Sequence, residues 1–160
     1  MTHREFHLQT RKNEFPAFQR VLKALPLDQM HYTPHERSQS ASRIVWTLIA
    51  ETHALSAMIE TGKITFESVP PPEPEELLPQ FTAAYEKLLG QVAALDEAGW
   101  NKTGQFVVGG HVVMEQPVGN FLWMFLLDAI HHRGQLSTYI RPMGGKVPSI
   151  YGPSGDDPGR

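Results

Sequence analysis

The sequence predicts an all-α fold, a four-helix bundle with a small β-hairpin inserted before its last helix. Apolar residues recur at steps of three and four along four long segments, and proline or glycine separates each segment from the next. One short stretch between the third and fourth segments breaks that rhythm and turns β-rich around a Gly-Gly pair. Long amphipathic helices of this kind bury their stripes most simply against one another.

The first helix is predicted from about Phe6 to Leu25, with Phe15, Phe18, Val21, Leu22 and Leu25 on its apolar side and Pro26 at its end. Pro16 either kinks it or marks its true start. A polar loop from His31 to Ser38 leads to a second helix over Ala41 to Thr61, stopped by Gly62. The run Pro70-Pro71-Pro72-Glu73-Pro74 cannot be helical inside, so it forms a stiff connector whose last proline suits the first turn of a third helix. That helix carries Leu78, Phe81, Tyr85, Leu88, Val92 and Leu95 at helical spacing up to Gly99. Gln105 to Val108 and His111 to Met114 then read as two strands around a Gly109-Gly110 turn. The fourth helix runs from about Val118 to Arg141, closed by Pro142 and Gly144-Gly145, and residues 146–160 form an irregular tail.

With 160 residues the chain reads as one domain, 1–160, with room for a full hydrophobic core. Its 14 Lys and Arg against 17 Asp and Glu leave a formal charge of −3 and no basic cluster, which argues against a nucleic-acid partner. The absence of cysteine excludes disulfides, thiolate ligands and a cysteine nucleophile, and agrees with a reducing compartment. The N-terminal residues lack the apolar core of a signal peptide, and no stretch reaches the roughly 18 apolar residues of a membrane span. A cytoplasmic protein with no membrane partner is the expectation.

Phe121 to Leu127 is an unbroken apolar run, so Asp128 and His132, four residues apart on the same helix, are predicted to turn into the core together. Glu51 repeats the pattern on the second helix, in the stripe Ile44, Leu48, Leu55 and Met58. A buried carboxylate without a partner costs several kcal/mol or takes up a proton. Facing helices fix ligand directions well, so Glu51, Asp128 and His132 form a candidate metal site suited to Zn²⁺, Ni²⁺, Fe²⁺ or Mn²⁺ with open positions. His53 is a reserve ligand, and His131 and Gln135 are candidates for the groups that orient the ligands. The competing reading is structural: Asp128 and His132 form an ion pair within the helix, and Glu51 bridges to Arg43 or Arg133. His3, His7, His31, His35 and His111 lie in terminal or loop regions and read as solvent-facing.

His131-His132-Arg133-Gly134-Gln135-Leu136, followed by Tyr139-Ile140-Arg141 and the turn Gly144-Gly145-Lys146-Val147-Pro148, resembles the last helix of the DinB superfamily. The loop Tyr32-Thr33-Pro34-His35 and the end of the second helix, Glu60-Thr61-Gly62, extend the resemblance in outline. It implies a DinB-type four-helix bundle, often a homodimer, holding nickel or zinc through three histidines. One ligand comes from the second helix, and two are spaced i, i+4 on the last, the second directly before Arg-Gly-Gln. His132 matches that second position, and the first falls on Asp128, which favours harder ions than histidine does. The second-helix histidine falls near Thr47 or Leu48, where no good ligand stands; Glu51, one turn along, or His53 on a rotated helix, would replace it.

By the same resemblance the expected function is a metal-assisted transferase or hydrolase acting on a small-molecule substrate, with a low-molecular-weight thiol as a further cofactor. The alternative is a non-catalytic, metal-free dimeric bundle with a degenerate site. The dimer surface is expected around Phe121, Leu122, Trp123 and Met124, and the tail from Val147 to Asp157 could close over the bundle mouth with Tyr151 near Gln135.

Overall fold

The computed structural model describes residues 1–159. Helix α1 spans His3–Lys23, opening on a capping box in which Thr2 accepts from Glu5 N and the Glu5 side chain accepts from Thr2 N. That cap starts the helix earlier than the apolar pattern suggests, and Pro16 sits on its exposed side without ending it. Helix α2, Ala41–Thr61, has the predicted bounds, with Ser40 accepting from Arg43 N at its start and Gly62 at φ 81° closing it.

Helix α3, Pro74–Ala94, stops short of the predicted Gly99. Asp96 accepts from Gly99 N at 2.7 Å and caps a separate short helix, α4, Glu97–Asn101, which carries Trp100 into the core. The predicted hairpin is present and belongs to a three-stranded sheet. Strand β1, Lys63–Ile64, pairs in parallel with β2, Thr103–Val108, which pairs antiparallel with β3, His111–Pro117. Two residues are too few to show an alternation, which is why β1 has no signature in the sequence. Gly109 and Gly110, at φ 57° and 83°, make the turn that only positive φ at both positions allows. Val113 is the extra residue of a bulge, since Phe106 faces Met114 and Val107 faces Val112. Helix α5, Val118–Ile140, completes the bundle.

Helices α1 and α2 each pack against both α3 and α5, so consecutive α1 and α2 lie across the bundle diagonal. The core falls into two apolar clusters. One gathers Phe18, Leu22, Ile44, Leu48, Phe81 and Ile140, and the other Leu55, Met58, Leu88, Trp100, Phe121 and Leu122. Between them lies a layer rich in polar side chains, with Glu51 on α2, Arg11 and Glu14 on α1 and Arg133 on α5 all buried.

The run from Phe121 to Leu127 does not all go inward as predicted. A bundle helix buries only an arc of its surface, so Phe121, Leu122 and Leu126 are enclosed, Trp123 and Met124 are half-buried, and Leu127 is 61% exposed. Phe121 and Leu122 are therefore core residues and not free for a second chain. Among the described residues no helix is long and apolar enough to cross a membrane.

Candidate metal centre

Glu51, Asp128 and His132 come together across the α2–α5 seam, each offering a donor atom within 4.8 Å of the others. Asp128 Oδ2 lies 3.4 Å from His132 Nε2, close to the separation of about 3.4 Å that two ligands at 2.0–2.2 Å subtend at a tetrahedral ion. Placed at the bundle rim next to Leu127, the Asp128 side chain is 46% exposed and that of His132 18%, rather than enclosed as predicted. Glu51 is the buried member. Its Oε2 has no hydrogen-bond partner; burial, then a carboxyl–carboxylate hydrogen bond with Asp128, then the Asp128 charge, push its carboxyl up to about 9.

A buried acid with an orphaned oxygen, facing a carboxylate and an imidazole, is a donor set that a divalent cation would complete. His132 is already oriented for it. Its Nδ1 lies 3.2 Å from Gln135 Oε1, so an Nδ1–H that donates there would free Nε2, 3.4 Å from Asp128 Oδ2, to take an ion. Gln135 thus orients the imidazole as an acceptor. The three residues fit the group in chemistry, and the most separated pair must close slightly to bind one ion.

The other predicted residues fall outside the triad. His131 is exposed on the rim, its ring 5.5 Å from that of His132. His53 is exposed and lines, with Ala54 and Ala57, a cleft that does not include the triad, so α2 is not rotated to bring it in. Neither arginine bridges Glu51: Arg43 donates to the Val69 carbonyl at 3.0 Å, and Arg133 pairs with Glu14.

Two clefts flank the triad. One of about 270 Å³ runs along α2 past Arg43, Trp46 and Thr47 to Glu51, under Phe66 and Glu67. The other, about 540 Å³, is bounded by Phe106, Phe125, Leu127, Asp128 and His131. Phe66, Phe106 and Phe125 stand between them, their ring centroids 5.7 to 6.3 Å apart.

On the opposite face of α5 lies a polar group that sequence reasoning missed. Arg133 is buried, pairs with Glu14 and stacks over Phe18 at 4.8 Å. The Tyr151 hydroxyl, from the tail, donates to Glu14 at 2.9 Å. Tyr151 therefore meets Glu14 and Arg133 on the α1 side and not Gln135, so the tail straps the bundle away from the triad instead of closing over it. His7, read as solvent-facing, is fully buried between Trp100 and Trp123 and bonds the Leu122 carbonyl at 3.1 Å. The signal was present: His7, Arg11, Glu14 and Phe18 continue the spacing of the apolar stripe back along α1. His3, His31, His35 and His111 are exposed as expected.

Comparison with known proteins gives a consistent result. The sequence pattern of the DinB family matches residues 6–158. An uncharacterized protein of Bacillus subtilis (strain 168), YrdA, is 23% identical over 145 residues, covering 90% of this chain and 85% of that protein. The crystal structure of a DinB-like protein from Bacillus cereus ATCC 10987 superposes with a TM-score of 0.73 at 18% identity, over 92% of this chain and 97% of that one. A mycothiol-dependent maleylpyruvate isomerase superposes at 0.62 with 12% identity, over 89% of this chain and 61% of the isomerase. At these identities the two structures speak for the fold.

Proposed function

We propose, from the premise that this chain belongs to the DinB family, that it binds one divalent ion at Glu51, Asp128 and His132 and is a metal-assisted transferase or hydrolase for a small molecule. The observation that carries this is the buried, partnerless Oε2 of Glu51 beside Asp128 and His132. A bound ion would supply Lewis-acid chemistry, lowering the pKa of a thiol or water and stabilising negative charge that develops on substrate.

The chain's own residues prepare that chemistry. Gln135 fixes the His132 tautomer, Asp128 holds the outer position, and Glu51 serves as third ligand or, once ionised, as the base that takes a proton at Oε2. Phe66 lines one cleft with Glu51, and Phe106 and Phe125 line the other with Asp128, which gives a substrate apolar walls beside the triad. Kinship of fold with the mycothiol-dependent isomerase supports a low-molecular-weight thiol as co-substrate.

A second reading has one observation in its favour. Both nitrogens of His132 have protein partners, Asp128 and Gln135, so the cluster could persist as an ion pair in a metal-free bundle. Metal analysis of untagged protein separates the two. The metalloprotein reading expects about one ion per chain, and a thermal shift with Zn²⁺, Ni²⁺ or Mn²⁺ that Asp128→Ala and His132→Ala abolish. Gln135→Leu should weaken the ion by about 10–100-fold, the usual cost of losing a partner that orients a ligand. No stoichiometric ion together with no stabilisation by added metal would leave the ion-pair reading standing.

A further inference from the structure

We propose that the cleft along α2 is a carboxylate-binding subsite, in which Arg43 anchors the acid group of a small ligand with a flat apolar body whose other end lies at Glu51. Arg43, Thr47 and Glu51 follow one another at i, i+4 and i+8 along one face of α2, a span of about 12 Å. The cleft's apolar and aromatic lining is made by Trp46, Ala50 and Phe66. A cleft of about 270 Å³ is just below the size range of roughly 300–1,000 Å³ typical of ligand pockets, which selects a small ligand.

Charge decides the anchoring group. Among the described residues Arg43 forms no ion pair, although Glu67 lines the same cleft. One guanidinium nitrogen donates to the Val69 carbonyl at 3.0 Å, where the Trp46 indole N–H donates as well, also at 3.0 Å. Those two bonds strap the 65–69 segment over the cleft and hold Arg43 at its mouth, with further N–H donors of the fork available to a planar anion. Glu67 in the same cleft makes a dianion unfavourable, so a carboxylate fits better than a phosphate. Trp46 and Phe66 then favour an aryl or alkenyl body.

The reacting end of this ligand rests on the metal-centre reading above, whereas its anchor does not, so the two can fail separately. The test is binding of benzoate and trans-cinnamate, with benzamide, cinnamamide and inorganic phosphate as comparisons, followed by calorimetry or NMR shifts in EDTA and again with zinc. The inference expects carboxylate binding in both conditions, no binding of the amides, and weaker binding of phosphate. Arg43→Ala should weaken the carboxylate at least about tenfold, the loss of one charge-assisted pair.

Arg43→Gln separates the charge from the strap, because its amide keeps an N–H donor for the Val69 carbonyl while removing the cation; its affinity should fall as far as that of Arg43→Ala. Loss in Arg43→Ala that Arg43→Gln restores would assign the effect to the strap and overturn the proposal. So would unchanged binding to Arg43→Ala, amides binding as well as acids, tighter binding of phosphate, or absence of carboxylate binding. Carboxylate binding by a protein that takes up none of Zn²⁺, Ni²⁺ or Mn²⁺ when they are added would keep the subsite and remove the metal centre. Zinc binding without carboxylate binding would do the reverse.

Discussion

His7 is kept neutral by its surroundings. Burial first, then the nearby Arg11 guanidinium, pushes its pKa from 6.5 down to about 3, against a smaller opposing effect of the bond to the Leu122 carbonyl. The sign follows from proton counting. Between pH 6.5 and about 3 the unfolded chain protonates this histidine and the folded chain does not, so its contribution to stability is intact above 6.5 and lost as pH falls toward 3. The steepest loss is about 1.4 kcal/mol per pH unit, one proton's worth. Urea denaturation of the wild type and His7→Gln across that range should give curves that converge as pH falls; parallel curves would show that His7 titrates normally. This residue also shows a limit of sequence reading. A histidine near an N-terminus resembles a solvated one until the helix is known to start at His3 and the stripe through Phe18 is followed back to it.

At the scale of the element, helices were legible wherever apolar spacing and punctuation agreed. Helix α2 has its predicted bounds because Ser40 and Gly62 are both chemical stop signals. The break between α3 and α4 was hidden because Leu95 continues the apolar spacing while Asp96 starts a new cap. The triad residues were legible as polar interruptions of apolar faces, but their exposure was not. Which arc of α5 the neighbouring helices cover depends on packing that periodicity does not encode. The α4–α5 junction offers a test of such packing. A Cβ placed on Gly119 would lie 2.1 Å from the Trp100 ring, so only glycine lets the two helices approach this closely. Gly119→Ala should destabilise the fold by about 1–3 kcal/mol despite the better helix propensity of alanine, the usual cost of overpacking, with the change read from the denaturation midpoint. A neutral or stabilised variant would mean that Trp100 can swing aside.

At the scale of the whole molecule, the DinB bundle is a single fold with two centres of gravity. The hairpin, α4 and the start of α5 gather at one end around Trp100 and Phe121, and the tail is strapped to the other through Arg20 and the Ser149 carbonyl. The bundle was legible in its four apolar stripes and the punctuation between them. The division of its core was not, since both clusters draw on the same helices and differ only in which turns they use.

The polar layer between those clusters has a mechanical consequence. Apolar contacts lock neighbouring turns together, whereas a belt of arginine, glutamate and histidine transmits cooperativity only through a few directional bonds, so the bundle has a fault line at its waist. Native-state hydrogen exchange should therefore resolve two protection classes, with amides near Leu48 and Ile140 opening at a different free energy from those near Met58 and Leu122. A single class across both ends would show that the belt is as stiff as the cores it joins. An ion seated at Glu51, Asp128 and His132 would rivet α2 to α5 at that line, and the two classes would then merge as metal is added.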